Sequence, residues 1–175
     1  LHTYNPPINL KIASNITTLF CPIEMDRGNP ISLKNNNKPV ANALARWQSA
    51  SKNLFVWDYT VQFANYMSPF PNLSYFVENY TTFKANNVKG LFVQGYADVP
   101  GDFSELRQYL LAKLLWDASI DVKATTADFL RGFYGKAASE IENYLKLLSE
   151  NQKKSKAYLD IYSGPVQNRT TYLTP

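Results

Sequence analysis

The sequence NLFVWDYTVQFANYMSPFPN, residues 53–72, joins a short apolar run to an aromatic loop that is interrupted by prolines. The run Leu-Phe-Val at 54–56 predicts a buried β-strand, because apolar residues follow one another without polar alternation. Trp-Asp-Tyr at 57–59 then stand at the point where this strand is expected to end. An indole, a carboxylate and a phenol in succession at a strand end indicate a binding surface, because Trp and Tyr each present an apolar face and a polar edge.

Similar apolar runs recur along the chain and alternate with segments of helical periodicity. Near-continuous apolar strands separated by amphipathic helices are typical of a parallel sheet. After the last strand, two further helices are expected at about 122–133 and 136–151, followed by an irregular tail. The alternating part comprises predicted strands at 1–4, 15–23, 53–57 and 88–95, and predicted helices at 38–52, 71–87 and 101–117.

Two parallel architectures compete for this pattern. A doubly wound sheet would be complete in 175 residues, whereas a (β/α)8 barrel needs about 250. No G-x-G-x-x-G or Walker loop follows any predicted strand, so the usual nucleotide-binding reasons for a doubly wound sheet are missing. We therefore expect an α/β fold that forms the C-terminal portion of a TIM-like (β/α)8 barrel, with parallel strands and extra C-terminal helices.

The expected domain is a single fragment over residues 1–175, with a half-barrel at about 1–120 and a helical part at about 121–160. The chain starts without Met, and its first residues, LHTYNPP, resemble the end of an element, so we expect a longer protein. A half-barrel leaves two open sheet edges, which invite pairing. The expected protein partner is therefore an upstream domain of the same polypeptide or a second copy of the chain.

Composition narrows the classes of function. Twelve Tyr, ten Phe and three Trp make up 14% of the chain, an aromatic content that suits wet binding surfaces as well as cores. The net charge of +4 is scattered along the sequence, which argues against a nucleic-acid partner.

One Cys and one His exclude an internal disulfide and argue against a zinc site, and we expect no metal and no cofactor. No apolar run approaches the ~20 residues that a membrane span needs.

Polar and aromatic residues gather where the predicted strands end, whereas the loops at the opposite ends, such as KANNVK and SASKN, are plain. The carboxyl ends of parallel strands meet at one edge of the sheet, and that edge carries function in parallel α/β folds. The residues concerned are His2 and Tyr4; Glu24, Asp26 and Arg27; Trp57, Asp58 and Tyr59; and Gln94, Tyr96, Asp98 and Asp102.

Each of these residues also has a structural interpretation, which stays open at the level of sequence. Asp102-Phe-Ser-Glu105 has the spacing of a capping box, which predicts Asp102 as a helix N-cap. Asp98 precedes Val-Pro-Gly and can organise a turn. The remaining alternatives are a loop-fixing salt bridge among Glu24, Asp26 and Arg27, backbone hydrogen bonds for Asp58 and Gln94, and a core position for Trp57.

Convergent carboxylates, Trp and Tyr at one edge suit carbohydrate, because sugar C–H faces stack on aromatic rings and carboxylates pair with hydroxyls. Hydrolysis needs two carboxyl groups, about 5–5.5 Å apart in retaining and roughly 6.5–9.5 Å apart in inverting enzymes. We therefore consider a glycoside hydrolase-like domain, with two alternatives: a non-catalytic carbohydrate-binding or scaffold module that completes a barrel, and a doubly wound domain for a small molecule. The candidate catalytic residues are Glu24, Asp26 and Asp58, and the candidate substrate-binding residues are Trp57, Tyr59, Arg27, Gln94, Tyr96 and His2.

Six stretches also resemble a known bacterial family of domains of unknown function. They are YNPP (4–7), LFCPIEMDRGNP (19–30), NLFVWDYTVQFANYMSPFPNL (53–73), VKGLFVQGY (88–96), ELRQYLLAKLLWD (105–117) and DFLRGFYGKAASEIENYL (128–145). The family is common in Bacteroidetes, where such domains follow an N-terminal domain like those of α-glucuronidases and β-hexosaminidases in large exported proteins.

The resemblance implies the C-terminal part of a glycosidase-like (β/α)8 barrel, and a bacterial or plant polysaccharide is the substrate of our first hypothesis. It also implies a secreted, periplasmic or cell-surface location. It brings no settled catalytic assignment, and this chain departs from the family pattern at Met25, where other members often have Cys, and at a second position. An acidic residue is expected beside the glutamine after the last strand, where this sequence has Val93.

Overall fold

The computed structural model describes residues 4–96 and 99–174. The strand expected at 1–4 therefore lies almost entirely outside the described residues. Within them the chain forms three strands and six α-helices, the last a single turn. The strands are β1 (Thr17–Phe20), β2 (Asn53–Tyr59) and β3 (Gly90–Gln94); the helices are α1 (Lys38–Ala50), α2 (Phe76–Ala85), α3 (Ser104–Trp116), α4 (Val122–Tyr134), α5 (Ala138–Ser155) and α6 (Pro165–Asn168).

The described strands form one parallel sheet in the order β1-β2-β3. Leu19 lies opposite Phe55, and Trp57 and Tyr59 lie opposite Phe92 and Gln94. Each strand is joined to the next by a helix, as parallel pairing requires. The mixed α/β class and the parallel sheet predicted from the sequence are confirmed.

Helices cover one face of this sheet. Leu54 and Val56 of β2 are completely buried, and they pack with Phe20, with Leu44 of α1 and with Phe83 of α2. On the same face, α2 and α3 pack against β3. The residues of that contact are Phe76, Tyr80, Leu111 and Leu114 from the helices, with Leu91 and Val93 from the strand.

The opposite face of the sheet is largely uncovered. Leu19 is 49% exposed, Phe55 36% and Phe92 53%, and these three side chains share one face with Trp57 because successive side chains of a strand point to opposite sides. Phe55 lies over Gly90, where a Cβ atom would come within 2.4 Å of its ring. We call this the open face; it comprises Leu19, Phe55, Trp57, Tyr59, Phe92 and Gln94. A doubly wound sheet is covered on both faces, which is not the arrangement of the described part.

The strand boundaries differ from those predicted. The strand expected at 15–23 is shortened to 17–20, because the chain turns at once: Ile23 N–H donates to the Cys21 carbonyl at 2.9 Å, and Met25 N–H to Pro22 at 3.2 Å. The strand expected at 53–57 continues to Tyr59. Asp58 and Tyr59 therefore belong to the sheet rather than to the loop that follows it.

The N-cap predicted at Asp102 is wrong. The residue before α3 is Phe103, which has φ 49° and no side-chain capping bond. The Asp102 carboxylate instead accepts hydrogen bonds from Phe70 N–H at 3.1 Å and from Arg107 Nη2 at 2.7 Å. Asp102 and Arg107 are both charged, so their contact is stronger than the hydrogen bond that the carboxylate would accept from an uncharged backbone N–H at the helix N-terminus, and this explains why the carboxylate turns away from the helix.

The segments after α3 pack against the rest of the chain at two places. Helices α4 and α5 pack against α3 through a cluster centred on Leu106, Leu110 and Leu130. The tail after α5 is largely irregular, as expected, yet Leu159 and Ile161 are buried in it against the loops that follow β1 and β2. Among residues 4–96 and 99–174, no helix has both the length and the apolar character needed to cross a bilayer.

A pair of neighbouring substitutions tests the one-sided sheet. Leu54→Ala should lower the free energy of unfolding by about 2–5 kcal/mol, because it removes buried methyl groups and leaves a cavity. Phe55→Ala, on the open face, should cost less than half as much despite the larger side chain removed. Both values come from denaturant unfolding followed by circular dichroism. Equal losses would contradict a sheet that is covered on one face only.

Candidate functional site

Asp26 is the structural centre of the loop that follows β1. Its side chain is fully buried, and each carboxylate oxygen accepts two hydrogen bonds. The donors are Gly28 N–H at 2.9 Å and Leu159 N–H at 3.0 Å on Oδ1, and the side-chain amides of Asn29 at 2.8 Å and Asn36 at 3.0 Å on Oδ2. A carboxylate has about four acceptor positions, so this set leaves none for a substrate.

Arg27 and Asp58 form a buried ion pair beneath the site. Their side chains are 2% and 4% exposed, and Arg27 Nη1 lies 3.0 Å from Asp58 Oδ1. Arg27 Nη2 also donates to the Pro22 carbonyl at 2.8 Å, and Tyr59 N–H donates to Asp58 Oδ1 at 2.9 Å. Burial raises the pKa of Asp58, although Arg27 opposes this effect. The pair ties the loop after β1 to the end of β2.

On the open face, Trp57, Tyr59 and Gln94 come together as the strand-end rule predicts. The Trp57 indole N–H donates to Gln94 Oε1 at 2.9 Å. The rings of Trp57 and Tyr59 lie 6.2 Å apart at an interplanar angle of 20°, and Phe92 meets the indole edge-on at 4.7 Å. The Arg27 guanidinium lies 5.6 Å from the centre of the Tyr59 ring, which supports this ring by a cation–π contact.

Aromatic rings continue from this group along the loop after β2. Centroid distances are 6.3 Å between Tyr59 and Phe63, 6.2 Å between Phe63 and Tyr66, and 5.2 Å between Tyr66 and Tyr96. We call Trp57, Tyr59, Phe63, Tyr66 and Tyr96 the aromatic rim. The Tyr96 hydroxyl donates to the Asp102 carbonyl at 3.1 Å, and burial raises the pKa of Tyr96 to about 12.

Phe63 and Tyr66 were not among the candidates from the sequence. The signal that could have found them is the aromatic loop itself, because residues 63–70 contain two Phe and one Tyr between polar residues. Asn37 was also missed. It accepts Asp26 N–H at 2.8 Å and donates to the carbonyls of Asp26 and Asn29 at 2.8 and 2.9 Å, so it holds the loop that carries Glu24.

Glu24 is the strand-end carboxylate that faces solvent. Tyr158 donates its hydroxyl to the Glu24 carbonyl, which places the two residues side by side. Burial raises the pKa of Tyr4 to about 12, and the charge of Glu24 adds to this effect. The same charge contributes, after burial, to the raised pKa values of Tyr59 and Tyr158. Glu24 therefore lies beside the phenol of Tyr158, and Tyr59 of the aromatic rim is within reach of its charge.

The candidates from the sequence thus separate into two layers. Glu24, Trp57, Tyr59, Gln94 and Tyr96 lie at the accessible edge, whereas Asp26, Arg27 and Asp58 are buried and used in internal contacts. His2 and Asp98 lie outside the described residues. Within the described ranges, no group of three or more His, Cys, Asp and Glu side chains is arranged to hold a metal ion.

Comparison with known proteins adds one finding. The profile of a family described as domain of unknown function (DUF4838) matches residues 1–146. The matched region contains the three strands of the sheet and every residue of the aromatic rim, and it ends within α5. No curated protein and no solved structure matches the chain.

The two layers predict different effects of neutralising a carboxylate. Asp58→Asn should lower the free energy of unfolding by about 3–5 kcal/mol, because it leaves the charge of Arg27 buried without a counterion. Glu24→Gln should change it by less than about 0.5 kcal/mol, as expected for an exposed position. Urea unfolding of both variants provides the comparison. An Asp58→Asn variant as stable as the unaltered chain would show that the ion pair does not hold the strand end.

Proposed function

Since the chain belongs to the DUF4838 family, we propose that it is the carbohydrate-binding C-terminal part of a glycosidase-like barrel. The ligand is a polysaccharide or oligosaccharide that lies along the aromatic rim. The observation that carries this proposal is the pairing of Trp57 and Tyr59, two nearly parallel rings at the carboxyl edge of a parallel sheet, where ligands of such folds bind.

The chemistry of the rim matches that of a sugar. Apolar C–H faces of pyranose rings stack on the faces of Trp and Tyr, while hydroxyl groups need donors and acceptors at the edge. Gln94 uses its oxygen for the Trp57 indole, and its amide nitrogen has no partner among residues 4–96 and 99–174, so it can donate to a hydroxyl. Glu24 supplies an exposed acceptor. His2 remains a proposed binding residue.

Binding is better supported than cleavage by the described residues alone. A glycosidase places two carboxyl groups on either side of the scissile bond. Asp26 and Asp58 are buried and hydrogen-bonded to the protein, which leaves Glu24 at the accessible edge. We propose Glu24 as the acid/base candidate, and cleavage would require a second carboxyl group on the other side of the scissile bond.

The barrel proposal rests on the sheet. Three parallel strands in sequential order, with helices on one face and exposed apolar side chains on the other, are what a segment of a (β/α)8 barrel would present. Further strands from the same polypeptide, or from a second copy, would then cover Leu19, Phe55 and Phe92. By resemblance to exported proteins, we propose a secreted, periplasmic or cell-surface location.

A matched pair of tryptophans tests the binding site. Trp57→Ala should weaken oligosaccharide binding at least tenfold, which corresponds to about 1.4 kcal/mol, because it removes the central stacking ring. Trp116→Ala is the control: that side chain is 93% exposed at the end of α3 and should leave the affinity unchanged. Isothermal titration against neutral and acidic oligosaccharides supplies the affinities. Equal affinities for both variants would remove the rim from the proposal.

Glu24 allows a separate test of binding against turnover. The chain should bind its glycan without releasing reducing ends, and Glu24→Gln should weaken binding about threefold to tenfold by replacing a charged acceptor with a neutral one. Reducing-end release is followed over long incubation with the bound oligosaccharide. Product formation that persists in Glu24→Gln would contradict both the binding-only proposal and the role of this carboxylate.

A further inference from the structure

We propose a second binding site, for a small aromatic acid that carries a hydroxyl group, in a cavity behind the aromatic rim. The cavity has a volume of about 410 Å³ and lies between the segment that leads into α2 and the helices α3, α4 and α5. This volume falls in the range of about 300–1,000 Å³ that is typical of small-molecule sites. None of the residues that line the cavity belongs to the sheet or to the aromatic rim, so it is separate from the open face.

The walls of the cavity are mainly apolar. Phe70, Leu73 and Val77 line one side, and Val122 and Leu145 line the other. Sites for small molecules are typically built in this way, from apolar walls and a small number of placed polar groups. An aromatic ring suits such walls and loses little conformational freedom on binding.

The buried pair Asp102–Arg107 lies at the inner end of this cavity. Arg107 has its five N–H groups engaged: Nε with the Asp102 carbonyl at 2.7 Å, Nη1 with Asn72 Oδ1 at 2.5 Å and the Thr60 carbonyl at 3.3 Å, and Nη2 with the Phe70 carbonyl at 2.6 Å and Asp102 Oδ2 at 2.7 Å. The guanidinium therefore has no donor left for an anion. An acidic group of a ligand is not expected at this end.

Asp102 is different, because half of its carboxylate remains available. Its side chain is 9% exposed and lines the cavity. Oδ2 accepts from Phe70 N–H and Arg107, whereas Oδ1 has no hydrogen-bond partner among the described residues. Because Asp102 lines the cavity, a ligand can reach this oxygen, and a carboxylate oxygen accepts a hydrogen bond from a donor such as a hydroxyl group.

Cationic side chains lie at the outer part of the cavity. Lys123 of α4 and Lys146 of α5 both line it, with Glu142 as the opposing charge. Lys146 makes only a 3.9 Å contact with Glu150, and both of these side chains are exposed. The N-terminus of α4 beside Lys123 is already capped by the Asp121 carboxylate, which accepts from Ala124 N–H at 3.0 Å, so the positive charge here comes from the lysines. Among the lining residues of this part, two lysines against one glutamate favour an anionic group, so the ligand is a phenolic acid: a hydroxyl at Asp102, a ring between the walls and a carboxylate near the lysines.

Three related probes test this assignment on the unaltered chain. 3-(4-Hydroxyphenyl)propionate should bind with a sub-millimolar Kd, measured by isothermal titration or by line broadening of its NMR signals. 3-Phenylpropionate, which lacks the hydroxyl, and 4-ethylphenol, which lacks the carboxylate, should each bind at least fivefold more weakly. No binding of the first probe at millimolar concentration would overturn the proposal. Equal affinity for all three would contradict the contacts assigned to the hydroxyl and to the carboxylate, and would show that the cavity recognises only the apolar ring.

Variants locate the bound probe. Val77→Trp should fill the cavity and abolish binding, and Lys146→Ala should weaken it at least threefold. Lys154→Ala, an exposed position on the same helix outside the cavity, is the control and should have no effect. Should Val77→Trp fail to fold by circular dichroism, the two lysine variants decide the matter. Equal affinity in Lys146→Ala and Lys154→Ala would place the probe elsewhere and contradict the proposal.

Discussion

The alternation of side chains along β2 is the constraint on which the rest of the structure depends. Even-numbered residues of this strand point to the helices, and odd-numbered residues point to the open face. The strand therefore contributes Leu54 and Val56 to the core and Trp57 and Tyr59 to the open face. The same rule directs Asp58 into the covered side, where an ionised carboxylate persists only with a partner. Arg27 is that partner, and the pair fixes the first two strand ends relative to each other.

In this arrangement, buried charged residues hold the loops that lie next to the aromatic rim. Asp26 and Asn37 hold the loop after β1, and Asp102 with Arg107 holds the loop after β2. Both loops are also fixed by the tail, through Arg27 N–H to the Leu159 carbonyl at 2.8 Å and Phe63 N–H to the Ile161 carbonyl at 2.7 Å. The proposed binding surface would be preorganised by this support, which would reduce the entropy lost when a ligand binds.

Sequence reasoning predicted the parallel α/β fold and the meeting of Trp57, Tyr59 and Gln94, because both follow from local periodicity and from the geometry of parallel strands. It did not predict that Asp58 points to the covered side of the sheet while Trp57 and Tyr59 point to the open face. That separation depends on the strand continuing to Tyr59, two residues further than predicted. The predicted cap at Asp102 was wrong because Arg107, five residues later, takes the carboxylate. The contact of Asp26 with Leu159, 133 residues away in the chain, has no local signal at all.

We propose that the carboxyl end of β2 presents a carbohydrate-binding surface on its open side. The chain contains three tryptophans, Trp47, Trp57 and Trp116, and each gives one indole N–H signal in a ¹H–¹⁵N NMR spectrum. Titration with the bound oligosaccharide should shift the Trp57 signal, whose N–H donates to Gln94, and should leave the signals of Trp47 and Trp116 in place. A titration in which Trp57 stays unchanged while the glycan binds would contradict the account.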